Sequence, residues 1–96
     1  MIRSFGDGTT ADLFRERNTR AARMIPRDLW RAAMRKLKAL DVAVRLEDLT
    51  IPGGNRLHAL KGDRAGRHAI RINDQYRLTF HWEEAHAYEV RIEDYH

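Results

Sequence analysis

Two short stretches concentrate the side chains that can move protons or hold a phosphate. One is Asp94-Tyr95-His96, a carboxylate, a phenol and an imidazole in succession. The other is His58-Ala59-Leu60-Lys61-Gly62-Asp63, with an imidazole and an ammonium three positions apart. Chain tips are usually frayed and idle. Here the alternating run Tyr88-Glu89-Val90-Arg91-Ile92 leads straight into the tip, so a sheet can hold it in place. Acid–base groups beside a basic surface point to a small enzyme acting on a polyanion.

The elements that must position these groups can be read from periodicity. Met1 to Phe5 has β character and is expected to form a short first strand. Gly6-Asp7-Gly8 is a turn, after which Thr9 or Thr10 can cap a short helix through Leu13-Phe14. Residues 15–23 are rich in Arg and read as a solvated connection or frayed helix. Pro26 suits the first turn of a second helix that runs to about Leu40. On it Trp30, Ala33, Met34 and Leu37 form an apolar stripe at helical spacing, beside a basic face of Arg27, Arg31, Arg35 and Lys38. The stripe reads as core and the basic face as solvated surface.

After the break at Pro52-Gly53-Gly54-Asn55 the period switches to two. Leu57 to Leu60, Arg67 to Ile72, Gln75 to Trp82 and Tyr88 to Ile92 read as strands. Asn73-Asp74 is expected to close a two-residue hairpin. On that register Tyr76, Leu78, Phe80 and Trp82 share the face toward the helices. His68, Arg77, Thr79 and His81 share the other face with Ile70 and Ile72, and a one-residue slip inverts the pattern. The fold class is α+β, a single domain over residues 1–96 with an N-terminal strand and two helices packed on an antiparallel sheet.

Composition narrows the partners. In 96 residues there are 18 Lys and Arg against 14 Asp and Glu, a formal net charge of +4. Most of the basic residues are Arg, whose planar donor fork suits phosphate. This balance favours nucleic acid, the ribosome or an acidic protein, against the plainer reading of a salt-bridged soluble surface. The absence of cysteine removes disulfides and thiolate metal sites and fits a reducing cytoplasm. No apolar run reads as a leader or a membrane span. The five histidines show no paired ligand spacing, so neither zinc nor any other cofactor is expected.

Three blocks in order carry a resemblance: Arg56-Leu57-His58-Ala59-Leu60-Lys61-Gly62-Asp63, then Ile72-Asn73-Asp74-Gln75-Tyr76-Arg77-Leu78-Thr79-Phe80, then Asp94-Tyr95-His96, after the opening Met1-Ile2-Arg3-Ser4-Phe5. With these the chain resembles the HigB (host-inhibition) toxins of the RelE superfamily, nearly end to end. The resemblance implies a compact RelE-like fold and a type II toxin that cuts mRNA in the ribosomal decoding site. It implies a HigA-like helix-turn-helix antitoxin as partner, contact with DNA only through that antitoxin, and no membrane. The family's active-site positions fall on His58, Lys61, Arg77, Asp94, Tyr95 and His96. Tyr76 stands where many relatives have Trp, and Ala59 where many have Pro.

These residue types suit metal-free RNA cleavage, which must deprotonate a 2′-hydroxyl, stabilise a phosphorane and protonate the 5′-oxygen. Imidazole, with an unperturbed pKa of about 6.5, can serve as base or acid. His58 and His96 are the pair for this, with Asp94 as a reserve base or orienting group. Arg77 and Lys61 can hold the phosphate and stabilise developing charge. Tyr95 can stack on a base or position the 2′-hydroxyl. The bland readings are that Lys61 is a turn residue, Asp94 an arginine partner and His68, His81 and His86 surface or hydrogen-bonded residues. Two other functions compete. A degenerate toxin would bind its antitoxin and only modulate operon repression, and a general RNA-binding domain would show steep salt dependence without any need for His96.

Overall fold

The computed structural model describes residues 1–95. Its elements run α1 (Gly8–Phe14), α2 (Trp30–Val42), β1 (His58–Ala59), β2 (Arg67–Arg71), β3 (Tyr76–Glu83) and β4 (His86–Asp94), with short 3-10 turns between them. The strands form an antiparallel sheet in the order β1-β2-β3-β4.

The N-terminal segment lies along the outer edge of β4 in parallel, through isolated bridges Ile2–Ala87 and Phe5–Val90. Arg3 N–H donates to Ala87 O at 2.8 Å and Val90 N–H to Ser4 O at 3.1 Å. The expected first strand is thus present as a bridged segment that covers an otherwise unpaired edge. Asp7, rather than Thr9 or Thr10, caps α1, its carboxylate accepting from Thr10 N–H at 2.8 Å. Thr10 is buried, and its hydroxyl oxygen accepts from Ile92 N–H at 2.9 Å. One side chain therefore fastens α1 to β4.

Residues 15–23 are mostly exposed, yet they are fixed. Thr19 donates to Asp12 at 2.7 Å and accepts from Ala22 N–H at 3.1 Å, and Ala22 is buried. Pro26 leads into a 3-10 turn, Arg27–Leu29, that runs on into α2. Ala33, Leu37 and Leu40 are the buried stripe of α2, while Trp30 and Met34 are half-buried at its margin. The stripe packs against Ile70, Ile72, Leu78, Phe80, Val90 and Ile92 of the sheet. Burying each large aliphatic side chain is worth roughly 1.5–3 kcal/mol, and this layer between helix and sheet is the core.

The β2–β3 register corrects one expectation. Arg71 pairs with Arg77 and Ile70 with Leu78, so the connection is longer than two residues. Asn73 builds it: its side-chain oxygen accepts from Gln75 N–H at 3.0 Å and Tyr76 N–H at 2.7 Å, an Asx turn in place of a type I′ turn. The one-residue shift turns Ile70 and Ile72 inward, where both are buried in the core. His68 moves with them and stacks on Phe80 at 5.9 Å. Arg77 still faces away from the helices, as expected, because its neighbour Leu78 is in the core.

Candidate active site on the open face of the sheet

Paired residues in an antiparallel ladder project to the same side. The face opposite the helices therefore carries the rows Arg71–Arg77–Glu93, His58–Ala69–Thr79–Arg91 and Arg67–His81–Tyr88. Two of the expected site residues, Arg77 and Tyr95, meet at the end of this face where β3 begins and β4 finishes.

Tyr76 pairs with Asp94, which puts the β4 tip beside the turn. Tyr95 N–H donates to Gln75 O at 2.7 Å, and Gln75 Nε2 donates to Asp94 Oδ2 at 3.0 Å. The half-buried Arg77 donates from Nη1 to the carbonyls of Asn73 and Tyr76, the latter at 3.1 Å. Its guanidinium carbon is 5.7 Å from the centroid of the Tyr95 ring. Arg77 and Tyr95 thus meet on the open face beside the 72–75 turn, while Asp94, paired with the inward-facing Tyr76, projects to the other side of the sheet and is tied to the same turn through Gln75. Tyr95 remains 41% exposed, open to a stacking base. His96 lies outside the described residues.

His58 and Lys61 approach from the other edge. His58 is exposed on β1, and its Nδ1 lies 2.9 Å from Arg56 O. A carbonyl only accepts, so Nδ1 carries the hydrogen and the neutral ring keeps Nε2 as its acceptor. β1 and β4 are three strand spacings apart, about 14 Å. His58 shares a face with Arg77 and Tyr95 but stands on the opposite edge of the sheet, in the row of Ala69, Thr79 and Arg91. Lys61 is exposed and precedes the 3-10 turn Gly62–Arg64, where Gly62 takes φ +70°, a backbone conformation glycine adopts at little cost.

The centre of the face holds residues the sequence reading passed over. Glu93, half-buried, accepts from Arg64 Nη2 and from the Thr79 hydroxyl. Arg67 Nη2 donates to the same hydroxyl at 3.1 Å and to Glu89 O at 2.9 Å. Burial acts to raise the Glu93 pKa, but the bonds from Thr79 and Arg64 and the charges of Arg64 and Arg67 outweigh it, so the carboxyl is held below its usual value. Glu93 raises the Arg64 pKa in turn. The available signal was the alternation in Tyr88–Ile92: continued past Ile92, it puts Glu93 on the face of Arg77. Among the described residues, no group of three or more His, Cys, Asp or Glu is placed to hold a metal ion. Nor, among them, is any helix long and apolar enough to cross a membrane.

The fold has solved counterparts. A mutant of YafQ from E. coli superposes with a TM-score of 0.59 at 17% identity, covering 99% of this chain and 92% of that one. A YoeB-YefM complex from Staphylococcus aureus gives 0.61 at 16% identity, covering 100% of this chain and 98% of that one. In sequence, Toxin HigB-1 of Vibrio cholerae is 48% identical over 60 residues, 62% of this chain and 63% of that protein. Endoribonuclease HigB of Proteus vulgaris is 38% identical over 65 residues, 64% of this chain and 65% of that protein. The chain thus spans a little under two thirds of each of these relatives. Residues 3–96 match the family described as the RelE-like toxin of the type II toxin-antitoxin system HigB. With that match over almost its whole length, the three sequence blocks and the RelE-like fold, the chain belongs to the HigB-like toxins.

Proposed function

We propose that the protein is an endoribonuclease that cleaves mRNA on the ribosome, and that the open sheet face is its active site. The observation that carries this reading is the contact of Arg77 with Tyr95 on that face beside the 72–75 turn, with His58 on the same face of the sheet and Asp94 bonded to the turn through Gln75. The name of the Proteus vulgaris relative, an endoribonuclease, supports the activity.

In this reaction the 2′-oxygen attacks the adjacent phosphorus, the bond to the 5′-oxygen breaks, and a cyclic phosphate and a 5′-hydroxyl result. One imidazole takes the 2′ proton and the other returns one to the leaving oxygen, roles for His58 and His96. Arg77 and Lys61 hold the phosphate and offset its growing charge. Tyr95 stacks on a base or positions the 2′-hydroxyl, and Asp94 orients the tip. These groups are few and widely spaced, which fits an enzyme whose substrate is held in shape by the ribosome.

The partner is an antitoxin of the HigA-like helix-turn-helix kind, with contact to DNA only through it, and the site of action is the cytoplasm. The family's toxin-antitoxin character and the YoeB-YefM assembly support a protein partner.

The test is cleavage of an mRNA held on programmed ribosomes by the wild-type chain and by His96→Ala, beside a ribosome-free control. Cuts that need both the ribosome and His96 are expected. A folded wild-type protein that leaves the message intact sinks the reading and shifts it to a degenerate toxin acting only through its antitoxin.

A further inference from the structure

Glu93 is the one acidic side chain in the row Arg71–Arg77–Glu93. It is half-buried and bonded on two sides, to Arg64 from the turn after Lys61 and to Thr79 in β3. Arg64, in turn, is near enough to Tyr95 for the phenol to help raise the arginine's pKa. The turn that carries Arg64 begins next to Lys61.

We propose that Glu93 is a positioning residue for RNA cleavage: it draws Arg64 onto the catalytic face, and Arg64 then fixes the Tyr95 phenol and supplies a further cation beside Arg77. This deepens the endoribonuclease reading and rests on it. The physical reason is rigidity. A lone exposed arginine samples many rotamers, and holding it in one costs entropy at the moment of binding. A carboxylate accepting from Arg64 removes that cost in advance, and Thr79 fixes the carboxylate in its turn. Arg64 meets Glu93 through Nη2, which leaves its other nitrogens to meet the phenol and a phosphate oxygen. The arrangement also ties the Lys61 segment to β4, so two phosphate-holding groups from separate elements keep a fixed spacing. Without Glu93, Arg64 would swing to solvent and Tyr95 would keep Arg77 as its cationic neighbour but lose Arg64.

The test has two arms. The first follows single-turnover mRNA cleavage on saturating programmed ribosomes for wild type, Glu93→Gln, Arg64→Ala and the double variant. Each single variant is expected to lose about tenfold or more in rate constant, with the double no slower than the slower single, since one removes what the other positions. Rates within about twofold of wild type for both singles, or a double variant showing the product of the single losses, overturn the proposal. The second arm reads nuclear Overhauser contacts between the Tyr95 ring and the Arg64 side chain in the free protein. Their loss in Glu93→Gln, with Tm nearly unchanged, is expected, and their persistence overturns the proposal. A wild type that does not cut programmed mRNA overturns the function above, and the second arm then decides the positioning claim by itself.

Discussion

The Arg77 guanidinium stands over the Tyr95 ring at 5.7 Å while donating to the carbonyls of Asn73 and Tyr76. One side chain thus closes the β2–β3 turn and flanks the tip that follows β4. The closing bonds hold the guanidinium through Nη1 and leave its other nitrogens available on the side of Tyr95.

This double duty sets the first expectation. Arg77→Ala should abolish mRNA cleavage and also cost about 1–2 kcal/mol of stability, the sum of two modest hydrogen bonds. Arg77→Lys keeps a charge but not the fork, so it should recover part of the stability and little of the activity. Urea unfolding beside the cleavage assay checks both. Wild-type cleavage by Arg77→Ala would remove the residue from the site.

The bond from Ile92 N–H to the buried Thr10 hydroxyl joins α1 to β4. Thr10→Val keeps the shape and removes the acceptor, leaving a buried backbone donor unpaired at a cost of about 1–3 kcal/mol. Thr10→Ser keeps the oxygen and should lose clearly less. Equal unfolding midpoints for the two variants would show that the hydroxyl contributes nothing.

Trp30 sits at the margin of the core, with its indole N–H donating to Ile25 O at 2.8 Å and the Arg27 guanidinium 4.6 Å from its ring. A fully buried aromatic truncated to alanine costs about 3–5 kcal/mol. Half-buried Trp30 should fall below that range, at about 2–3 kcal/mol. Trp30→Phe, which loses only the N–H bond and some area, should cost about 1 kcal/mol. A Trp30→Ala Tm equal to wild type would exclude the residue from the core.

His68 faces the core layer, stacked on Phe80, with Nδ1 buried and unpartnered. Its pKa is lowered from the ordinary 6.5, first by burial and then by the neighbouring charges of His81 and His58. A folded state that resists the proton binds fewer protons than the unfolded chain. Stability is therefore highest above pH 6.5 and declines as pH falls through that value, where the unfolded histidine begins to charge. His68→Phe should flatten this decline between about pH 7.5 and about pH 5.5, read as urea midpoints at the two values. An unchanged slope would mean that another group sets the pH dependence.

Much of the candidate site was legible in the chain because the chemistry proposed for it is carried by residue type. His58, Lys61, Arg77, Asp94 and Tyr95 stand in short blocks, and the structure brings Arg77 and Tyr95 together, ties Asp94 to the adjoining turn through Gln75, and sets His58 and Lys61 on the far edge of the sheet. His96 belongs to the same expectation and lies outside the described residues. Periodicity found both helices and all four strands, since an apolar stripe on a helix and alternation on a strand follow from side-chain geometry within one element.

Tertiary structure decided what depends on two elements at once. Asn73 accepts two backbone N–H groups and lengthens the turn, and that single residue moved Ile70, Ile72 and His68 to the core side. Alternation along β2 is the same in either register, so only pairing with β3 could choose. Glu93 and Arg64 are 29 positions apart, and neither stands in a conspicuous motif. Their contact exists because β4 continues to Asp94 and the turn after Lys61 folds back onto it. The sequence by itself determined which chemical groups the protein owns and which elements bear them. The pairing of strands determined which of those groups share a surface, because register is a relation between chain segments and is written in neither one alone.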